Sequence, residues 1–450
     1  MKNLLVTILL GCQWQLHAQS ISKKQGVEDL DFLRDRIVEF NPALPIYHPQ
    51  FDKLSTRVIE ELTNDSISAF AHLSNVSRIC ALASEGHFSI GDRNDYYSRG
   101  ILENTFTYLP IQVKIIAGEL FVVGDFSHEQ QLDRGDRIIA INELKSTAIL
   151  NQLLEMTPSD GDIKTYAYRK IEDRFASLFY YHIERPKTFS VTIRDKNQNE
   201  KTYTVEALSR ADQISNIKKY YPKEDNQQSD IEGFYAITIA ENYAYIKFPS
   251  FDFRRVRAYE VKSKKLYQTI FQKLKDKKIN NLIIDLRDNT GGRNEFADDM
   301  VPFIRKGNIH DPFLKKTISW SGKTKTYKLP KPSKLAFQGE IYVLVNGKTF
   351  SAGSTLARYL KEYGNAQAIG IETGTRYEGF AAGSNETVVL PNSKLPIGIP
   401  RYHIVFPESS KQKTNNRGLL PDHELEVNFD NFVNKKDPYL EKAISLINQE

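Results

Sequence analysis

The sequence is poor in cysteine: its 450 residues include only Cys12 and Cys80. Because Cys12 lies in the extreme amino-terminal segment, the rest of the chain holds one cysteine and can form no internal disulfide. Cys80 falls in an apolar helical pattern, which favours a small core residue over a reactive thiol. No cluster of His, Cys and carboxylate residues has the spacing of metal ligands, so we expect neither a metal nor another cofactor.

The sequence also lacks an excess of charge and any long apolar run. Its formal net charge is +5, with Lys and Arg dispersed along the chain, so we expect no nucleic-acid partner. The apolar run from Leu4 to Leu10 is too short to cross a membrane, and no later segment is a candidate, so no membrane span is expected.

Residues 1–18 have the pattern of a secretory signal, in which Lys2 and the apolar run precede the small residue Ala18 at the cleavage point. We therefore expect an exported protein of the periplasm or cell envelope. Cys12 follows Leu-Leu-Gly, which loosely resembles a lipoprotein cleavage site. Lipid anchoring through Cys12 is the less favoured alternative, because the run before it is very short.

The length predicts two or three domains rather than one. Residues 19–100 have helical patterns, and residues 101–208 are rich in predicted strands. A polar stretch, 209–232, is expected to be a linker. Strands then alternate with helices, including a charged amphipathic helix over 255–274, so residues 233–434 are expected to form an α/β sheet domain. Residues 435–450 are expected to form a final helix.

One stretch combines a buried strand, Ile341 to Val345, with a polar turn and a helix whose Leu356 and Leu360 share a face. Ser351 lies between strand and helix beside small residues. The helix amino end supplies unpaired N–H groups that favour negative charge, so this position suits a nucleophile. The structural alternative is that Ser351 or Ser354 only caps the helix.

A second stretch places two glycines, Gly291 and Gly292, just after the predicted strand Leu282 to Leu286. Glycines at such a position can present backbone N–H groups to an oxyanion. The alternative is an ordinary loop leading to the next helix. The spacing does not match a phosphate-binding loop.

Four segments together resemble the carboxy-terminal processing and tricorn-type serine peptidases. They are IIDLRDNTGG (283–292), VLVNGKTFSAG (343–353), RGLLPDHELEV (417–427) and SEGHFSI (84–90). The resemblance implies an α/β multidomain fold, with a crotonase-like ββα spiral as catalytic domain and the amino-terminal helices as a cap. In addition, LDRGDRIIAINELKS (132–146) resembles half of a PDZ domain, a module that binds peptides at a sheet edge. Strands used only for packing are an equal alternative.

The resemblance also assigns roles to residues. Ser351 would be the nucleophile of an endopeptidase acting on peptides or unfolded proteins, and His87 its general base. The backbone N–H groups of Ala352 and of Gly291 or Gly292 would form the oxyanion hole.

Several positions depart from the family pattern. Glu85 and Phe88 replace the usual Asp and Thr around His87, and Arg376 stands where one branch of the family has a lysine base. Arginine stays protonated, so the histidine-dependent branch is favoured. Gly86 and Asn415 replace the residues that would support the histidine. Four glutamates remain candidates to orient His87: Glu372, Glu378, Glu386 and Glu408.

These departures leave a second function open, that of a catalytically weak or inactive relative that binds peptides without cutting them. A crotonase-type acyl-CoA enzyme is disfavoured, because export would separate the protein from CoA. The sequence predicts no particular oligomeric state.

Overall fold

Four helices and a small sheet form the amino-terminal part of the computed structural model, which describes residues 20–91, 106–221, 233–306, 311–409, 411–413, 415–426, 428–434 and 436–449. The expected signal segment, 1–18, lies outside the described residues. The elements are β1 (Ser20–Ser22), α1 (Lys23–Phe40), α2 (Leu44–Tyr47), α3 (Phe51–Glu60), β2 (Ser66–Ser68) and α4 (Ala69–Leu82).

The helical part packs as its apolar pattern predicts. Ser22 caps α1 in a reciprocal capping box with Gln25. Leu30, Leu33 and Ile37 on one face of α1 are fully buried. Cys80 is buried with them, and burial raises the pKa of its thiol to about 12, so it is a core residue with no thiolate character near neutral pH.

The middle part combines an antiparallel sheet with three helices. Its elements are β3 (Ser89–Ile90), β4 (Thr107–Tyr108), β5 (Ile111–Ile116), β6 (Glu119–Asp125), β7 (Arg137–Ile141), β8 (Leu144–Lys145), α5 (Ser146–Glu155), α6 (Lys164–His182), β9 (Thr188–Arg194), β10 (Glu200–Glu206), β11 (Leu208–Ser209) and α7 (Arg210–Tyr220). The sheet runs β10-β9-β7-β6-β5, and β8 pairs with β7.

Two features of this part differ from the sequence expectation. The helix α6 was not anticipated in a region expected to consist of strands, although its Ile171, Phe175 and Phe179 form a buried face at helical spacing. The expected linker begins with the helix α7, which Ser209 caps, rather than with irregular chain. Its remaining residues, 222–232, lie outside the described residues.

The carboxy-terminal part alternates strands and helices, as predicted. Its elements are β12 (Ala236–Ile239), β13 (Ala244–Lys247), α8 (Phe253–Ala258), α9 (Ser263–Asp276), β14 (Asn281–Asp285), α10 (Glu295–Asp298), α11 (Val301–Ile304), β15 (Lys315–Ser319), β16 (Thr324–Tyr327), β17 (Glu340–Val345), α12 (Ala352–Gly364), β18 (Gln367–Gly370), β19 (Gly379–Val389), β20 (Pro396–Val405), β21 (His423–Glu424), α13 (Phe429–Val433) and α14 (Pro438–Ile447).

The main sheet of this part has the order β12-β13-β14-β17-β18-β21, and only β12 is antiparallel to its neighbour. Its central strands are buried on both faces, as expected where helices cover a parallel sheet. The single helix predicted over 255–274 is instead two helices, α8 and α9. They are separated at Glu260, whose φ of 49° cannot continue a right-handed helix.

A second sheet, β16-β15-β20-β19, lies beside the first, and the short strand β3 from the amino-terminal half pairs with β20. Because β3 begins two residues after His87, this pairing carries His87 to the carboxy-terminal part of the chain. The segment that contains His87 is therefore held against the carboxy-terminal part of the chain.

Candidate active site

Three parallel strands end at one edge of the main sheet, and their following loops build the site. Asp285 at the end of β14 is paired with Leu344 in β17, and Val345 is paired with Gly370 in β18. The loops after these strands, 286–292, 346–351 and 371–378, therefore meet at the carboxyl edge, where α/β sheets usually bind ligands.

Hydrogen bonds lock the first two loops together. The Thr349 hydroxyl donates to the carbonyl of Leu286 over 2.8 Å, and the Phe350 N–H donates to the carbonyl of Asn289 over 3.0 Å. The Asn289 amide in turn donates to the carbonyl of Phe248 over 2.8 Å. The polar turn residues of both motifs thus fix the residue that follows, Ser351.

Ser351 has a backbone conformation that serine rarely adopts, with φ 52° and ψ −122°. It precedes α12, yet its side chain makes no capping hydrogen bond. Its N–H donates to the Thr375 hydroxyl over 2.6 Å. The alternative that Ser351 caps the helix is not supported, and Ser354 is no cap either, because its hydroxyl donates to the Thr349 carbonyl.

The two glycines lie in tightly packed backbone, and Gly291 lies directly against the serine. A side chain at Gly291, whose φ is +90°, would come within 2.7 Å of both the Ser351 Cβ and the Ala352 nitrogen. One at Gly292, with φ +130°, would overlap the carbonyl of Phe251. Glycine is therefore required at Gly291 to let the loop approach Ser351 this closely, and at Gly292 to let it pass Phe251.

The N–H groups at this point differ in availability. The Gly291 N–H donates to the Asn289 side-chain oxygen over 2.9 Å and is already used within the loop. Within the described residues, no hydrogen bond involves the N–H of Gly292 or of Ala352. Ala352 is the first residue of α12, where N–H groups have no partner inside the helix.

His87 lies beside the residue that precedes Ser351. Its ring stacks on Phe350 with 4.4 Å between ring centroids and on Phe380 with 5.5 Å. Tyr166 from α6 stacks on the other side of Phe350 at 4.0 Å. The segment is further fixed by the Asn385 amide, which donates to the His87 carbonyl over 3.1 Å.

The imidazole of His87 is held in a dry environment. Both ring nitrogens are buried and neither has a hydrogen-bond partner among the described residues, Ser351 included. Burial lowers the pKa of His87 to about 4; the negative charge of Asp160 raises this pKa, and the positive charge of Lys170 lowers it. The structure brings His87 next to the serine loop in its neutral form, without a direct bond to Ser351.

Glu85 and Arg376, which both depart from the family pattern, contact each other. The buried Arg376 guanidinium lies 2.9 Å from a Glu85 carboxylate oxygen and also donates to the Ser84 carbonyl over 2.8 Å. The second Glu85 oxygen accepts the Ala381 N–H over 2.9 Å. Arg376 therefore acts as a structural cation beneath the His87 segment.

None of the four glutamates considered as orienters of His87 hydrogen-bonds to it. Glu372 accepts two bonds from the Arg417 guanidinium, at 2.7 and 2.9 Å. Glu386 pairs with Arg401, Glu378 accepts the Asn416 N–H, and Glu408 is exposed.

One carboxylate that accepts a hydrogen bond from the His87 segment is a residue that sequence reasoning missed. Asp160, in the loop between α5 and α6, is fully buried and accepts the Gly86 N–H over 2.6 Å. A lone Asp in a polar loop carries no local signal of this role, because the contact joins residues 74 positions apart.

Within the described part of the chain, no three His, Cys, Asp or Glu residues are grouped closely enough to hold a metal ion. None of the helices there combines the length and the apolar character that crossing a membrane requires.

Comparison with known proteins identifies the class. Residues 242–425 match the model of peptidase family S41. The structure of mature CPAF complexed with lactacystin has 14% sequence identity and a TM-score of 0.67, covering 95% of this chain and 99% of that one. A second structure, of mature CPAF alone, has 13% identity and the same TM-score, covering 95% and 98%.

The photosystem II D1 C-terminal processing protease is a more distant match. It has 13% identity and a TM-score of 0.44, covering 89% of this chain and 93% of that one. None of the curated protein sequences compared with the chain is significantly similar to it.

The protein is thus a serine-type peptidase with an α/β multidomain fold. Residues 242–425 are similar to peptidase family S41, the carboxy-terminal processing peptidases. The matched range includes Ser351, Ala352 and both glycines, whereas His87 and Asp160 lie outside it.

Proposed function

We propose that the protein is an exported endopeptidase in which Ser351 is the nucleophile and His87 the general base. The backbone N–H groups of Ala352 and Gly292 form the oxyanion hole in this proposal. Gly292 is preferred to Gly291, because the Gly291 N–H is bonded to Asn289. Substrates are peptides or unfolded proteins.

The reaction proceeds in two balanced steps. The Ser351 Oγ attacks the peptide carbonyl carbon while its proton moves to His87, and the resulting oxyanion accepts hydrogen bonds from the two backbone N–H groups. The C–N bond then breaks as His87 protonates the leaving amine. Water, deprotonated by His87, attacks the acyl-enzyme, and Ser351 regains its proton as the carboxylic acid leaves.

The conformation of Ser351 carries this proposal. A structural serine at a helix start would be expected to cap the helix, yet the Ser351 hydroxyl makes no capping bond and the backbone has positive φ. Strained, over-determined residues of this kind cluster at active sites. The N–H groups of Ala352 and Gly292 make no hydrogen bond within the described residues, so both are available to an oxyanion.

The proposal requires His87 to move. In the structure its ring is stacked between Phe350 and Phe380 and does not bond to Ser351. Catalytic hydrogen bonds in unliganded enzymes are often long or absent and form only with substrate bound. A turn of the imidazole out of the stack is therefore part of substrate binding.

Labelling with a serine-reactive aryl phosphonate tests the proposal. We expect the wild-type protein to be labelled at Ser351 and the Ser351→Ala variant to be unlabelled there. His87→Gln should label about 100–10 000-fold more slowly, the usual range for a lost general base. Ser354→Ala is the matched control and should label at the wild-type rate. Wild-type protein that is folded but unlabelled would contradict the proposal.

A second candidate function is that of a peptide-binding protein with little or no activity. The observation favouring it is that His87 and Ser351 are not hydrogen-bonded and that Phe350 stacks on the imidazole. A fluorescent peptide that binds wild type and Ser351→Ala equally, with no cleavage and no labelling of either, would support the binder.

The finer architecture is also an inference. We infer that the carboxy-terminal part is the crotonase-like catalytic domain, the amino-terminal helices a cap, and the middle sheet a PDZ-like module. In a PDZ-like module a peptide would pair with the edge strand, which here is β5. That edge is partly occupied: the Ile115 N–H donates to Glu172 over 2.6 Å, and the Ile115 carbonyl accepts from Arg169 over 2.7 Å. Side chains of α6 thus occupy the positions that an added peptide strand would use.

Export to the periplasm or cell envelope remains a proposal drawn from residues 1–18. Mass analysis of the amino terminus after expression in a secreting host tests it. A terminus at Gln19 supports signal cleavage, and a lipidated Cys12 supports anchoring instead.

A further inference from the structure

The carboxylate of Asp160 holds three segments of the chain together. One oxygen accepts the Gly86 N–H over 2.6 Å, and the other accepts the Arg376 N–H over 3.2 Å. The adjacent Gly161 N–H donates to the Ser84 carbonyl over 3.1 Å. The loop between α5 and α6 is therefore bonded both to the segment before His87 and to the loop after β18.

The fit at Gly86 allows this approach. An ideal side chain built there would lie 3.1 Å from the Asp160 oxygen and 2.9 Å from the ring of Phe350. The absence of a side chain at Gly86 thus lets one carboxylate come close to the His87 backbone, on the same side as the aromatic stack.

Asp160 differs from the neighbouring buried carboxylate in how its charge is balanced. Glu85 forms an ion pair with Arg376. Among the described residues, no Lys, Arg or His nitrogen lies within ion-pair distance of Asp160, which is bonded through backbone N–H groups. The positive charges of Arg376 and Lys170 act on Asp160 from beyond that distance, and a buried carboxylate also stabilises a further positive charge that forms beside it.

Such a charge forms when a general base accepts a proton. We propose that Asp160 is the carboxylate that positions His87 and stabilises the imidazolium formed when His87 takes the Ser351 proton, an inference that rests on the proposed peptidase function. It assigns the middle part of the chain, outside the family match at 242–425, a direct role in the active site.

The electrostatics of His87 agree with this geometry. Asp160 raises the pKa of His87, opposing burial, and Lys170 on α6 lowers it. Lys170 is partly buried, and its ammonium donates to the Pro158 carbonyl over 3.0 Å. Asp160 and Lys170 are the charged groups that act on the His87 pKa. Glu85 on the same segment is paired with Arg376 on the loop after β18, and Tyr166 on α6 stacks on the Phe350 ring that also contacts His87. Tyr47 on α2, Glu378 on the loop after β18 and His403 on β20 interact with Arg376.

The test measures the His87 pKa directly, independently of activity. Protein with ¹³C-labelled histidine is titrated by NMR, and the His87 resonance is assigned by its loss in His87→Gln. We expect Asp160→Asn to lower the His87 pKa and Lys170→Gln to raise it. Asp162→Asn, an exposed carboxylate two residues away, is the matched control and should leave it unchanged.

Kinetics then link this coupling to the reaction. Asp160→Asn should slow phosphonate labelling of Ser351 about 100-fold and move the acid limb of the pH–rate profile to lower pH, whereas Asp162→Asn should change neither. A defect in folding alone would lower the labelling rate without moving the limb.

The outcomes separate this inference from the proposed function. An unchanged His87 pKa in Asp160→Asn, or labelling of Asp160→Asn at the wild-type rate, overturns the role of Asp160. If wild-type protein is not labelled at all, the proposed function fails, and the catalytic role of Asp160 fails with it. The NMR titration still decides whether Asp160 and His87 are coupled.

Discussion

Ser351 combines a demanding backbone conformation with a free hydroxyl. At φ 52° and ψ −122° the residue lies in a region that glycine enters freely and other residues enter at a cost of about 1–3 kcal/mol. The surrounding bonds hold it there, since its N–H is bound to Thr375 and its carbonyl accepts the Thr355 N–H. The serine is thus kept for its side chain and not for local stability.

We therefore expect Ser351→Gly to be more stable than Ser351→Ala by about 1 kcal/mol, because only glycine is unstrained at this φ. Both variants lack the hydroxyl of the proposed nucleophile. The measurement is the free energy of unfolding from urea denaturation.

The control is the same pair of substitutions at Ser354, which is inside α12. There the order should reverse, with glycine less stable than alanine by about 1 kcal/mol. If the alanine variant were the more stable one at both positions, Ser351 would not be strained as assigned.

Gly291 gives a second prediction at this scale. Gly291→Ala would place a methyl group 2.7 Å from Ser351 and Ala352, so the loop carrying the proposed oxyanion donor Gly292 would have to shift. We therefore expect phosphonate labelling to fall at least about 100-fold. Gly322→Ala is the control, because Gly322 also has positive φ (+79°) but has no atom within 4 Å of an added side chain. It should lose roughly 1 kcal/mol of stability and label normally.

At the scale of single elements, the contact between α6 and the edge of β5 is the most informative. Glu172 is largely buried and accepts the Ile115 N–H while pairing with Lys114 and Arg169. The helix thereby covers a strand edge that would otherwise be open to pairing.

Glu172→Ala should lower the free energy of unfolding by roughly 1–3 kcal/mol, because it leaves a buried N–H and two cations without their partner. Asp173→Ala, the next residue, is half exposed and pairs with Lys348 at the surface. It should change stability by less than about 0.5 kcal/mol. Equal losses in the two variants would show that the edge contact contributes little.

The helix α6 also shows which part of the fold was not predicted from the sequence. Strand ends and Gly-Gly or Ser-containing turns carry local signals, and the strand, loop and helix around Ser351 were predicted correctly. The face Ile171, Phe175, Phe179 was equally visible at helical spacing. It was overlooked because residues 101–208 were treated as one stretch rich in strands.

The pairings between distant segments had no local signal. Arg376 and Glu85 each depart from the family pattern, and they form an ion pair. Nothing in either sequence segment indicates that the two residues pair with each other. Asp160 lies in a loop with no motif at all. Such contacts depend on how three parts of the chain pack, which periodicity and turn chemistry do not encode.

At the scale of the whole molecule, several buried histidines make stability depend on pH. Burial lowers the pKa of His87, His182 and His403 from the ordinary 6.5 to about 4. Between these values the unfolded chain binds protons that the folded protein does not. Each histidine therefore reduces stability as the pH falls from 6.5 to 4, by up to about 1.4 kcal/mol per pH unit.

His182→Gln isolates one such contribution. His182 accepts or donates a bond of 2.9 Å with the Ser74 hydroxyl, and glutamine can keep a similar bond without titrating. We expect the difference in unfolding free energy between wild type and variant to change by roughly 3 kcal/mol between pH 7 and pH 4, in favour of the variant at low pH. Urea denaturation at a series of pH values measures it.

The comparison with wild type is needed because other groups titrate in the same range. Burial raises the pKa of Glu85, while Arg376 lowers it, so this carboxyl acts on stability in the opposite direction. Ser74→Ala is the control: it removes the hydrogen bond and leaves the imidazole buried, so it should lower stability at every pH with little change in slope. A His182→Gln profile parallel to that of wild type would mean that His182 is protonated as readily in the folded protein as in the unfolded chain.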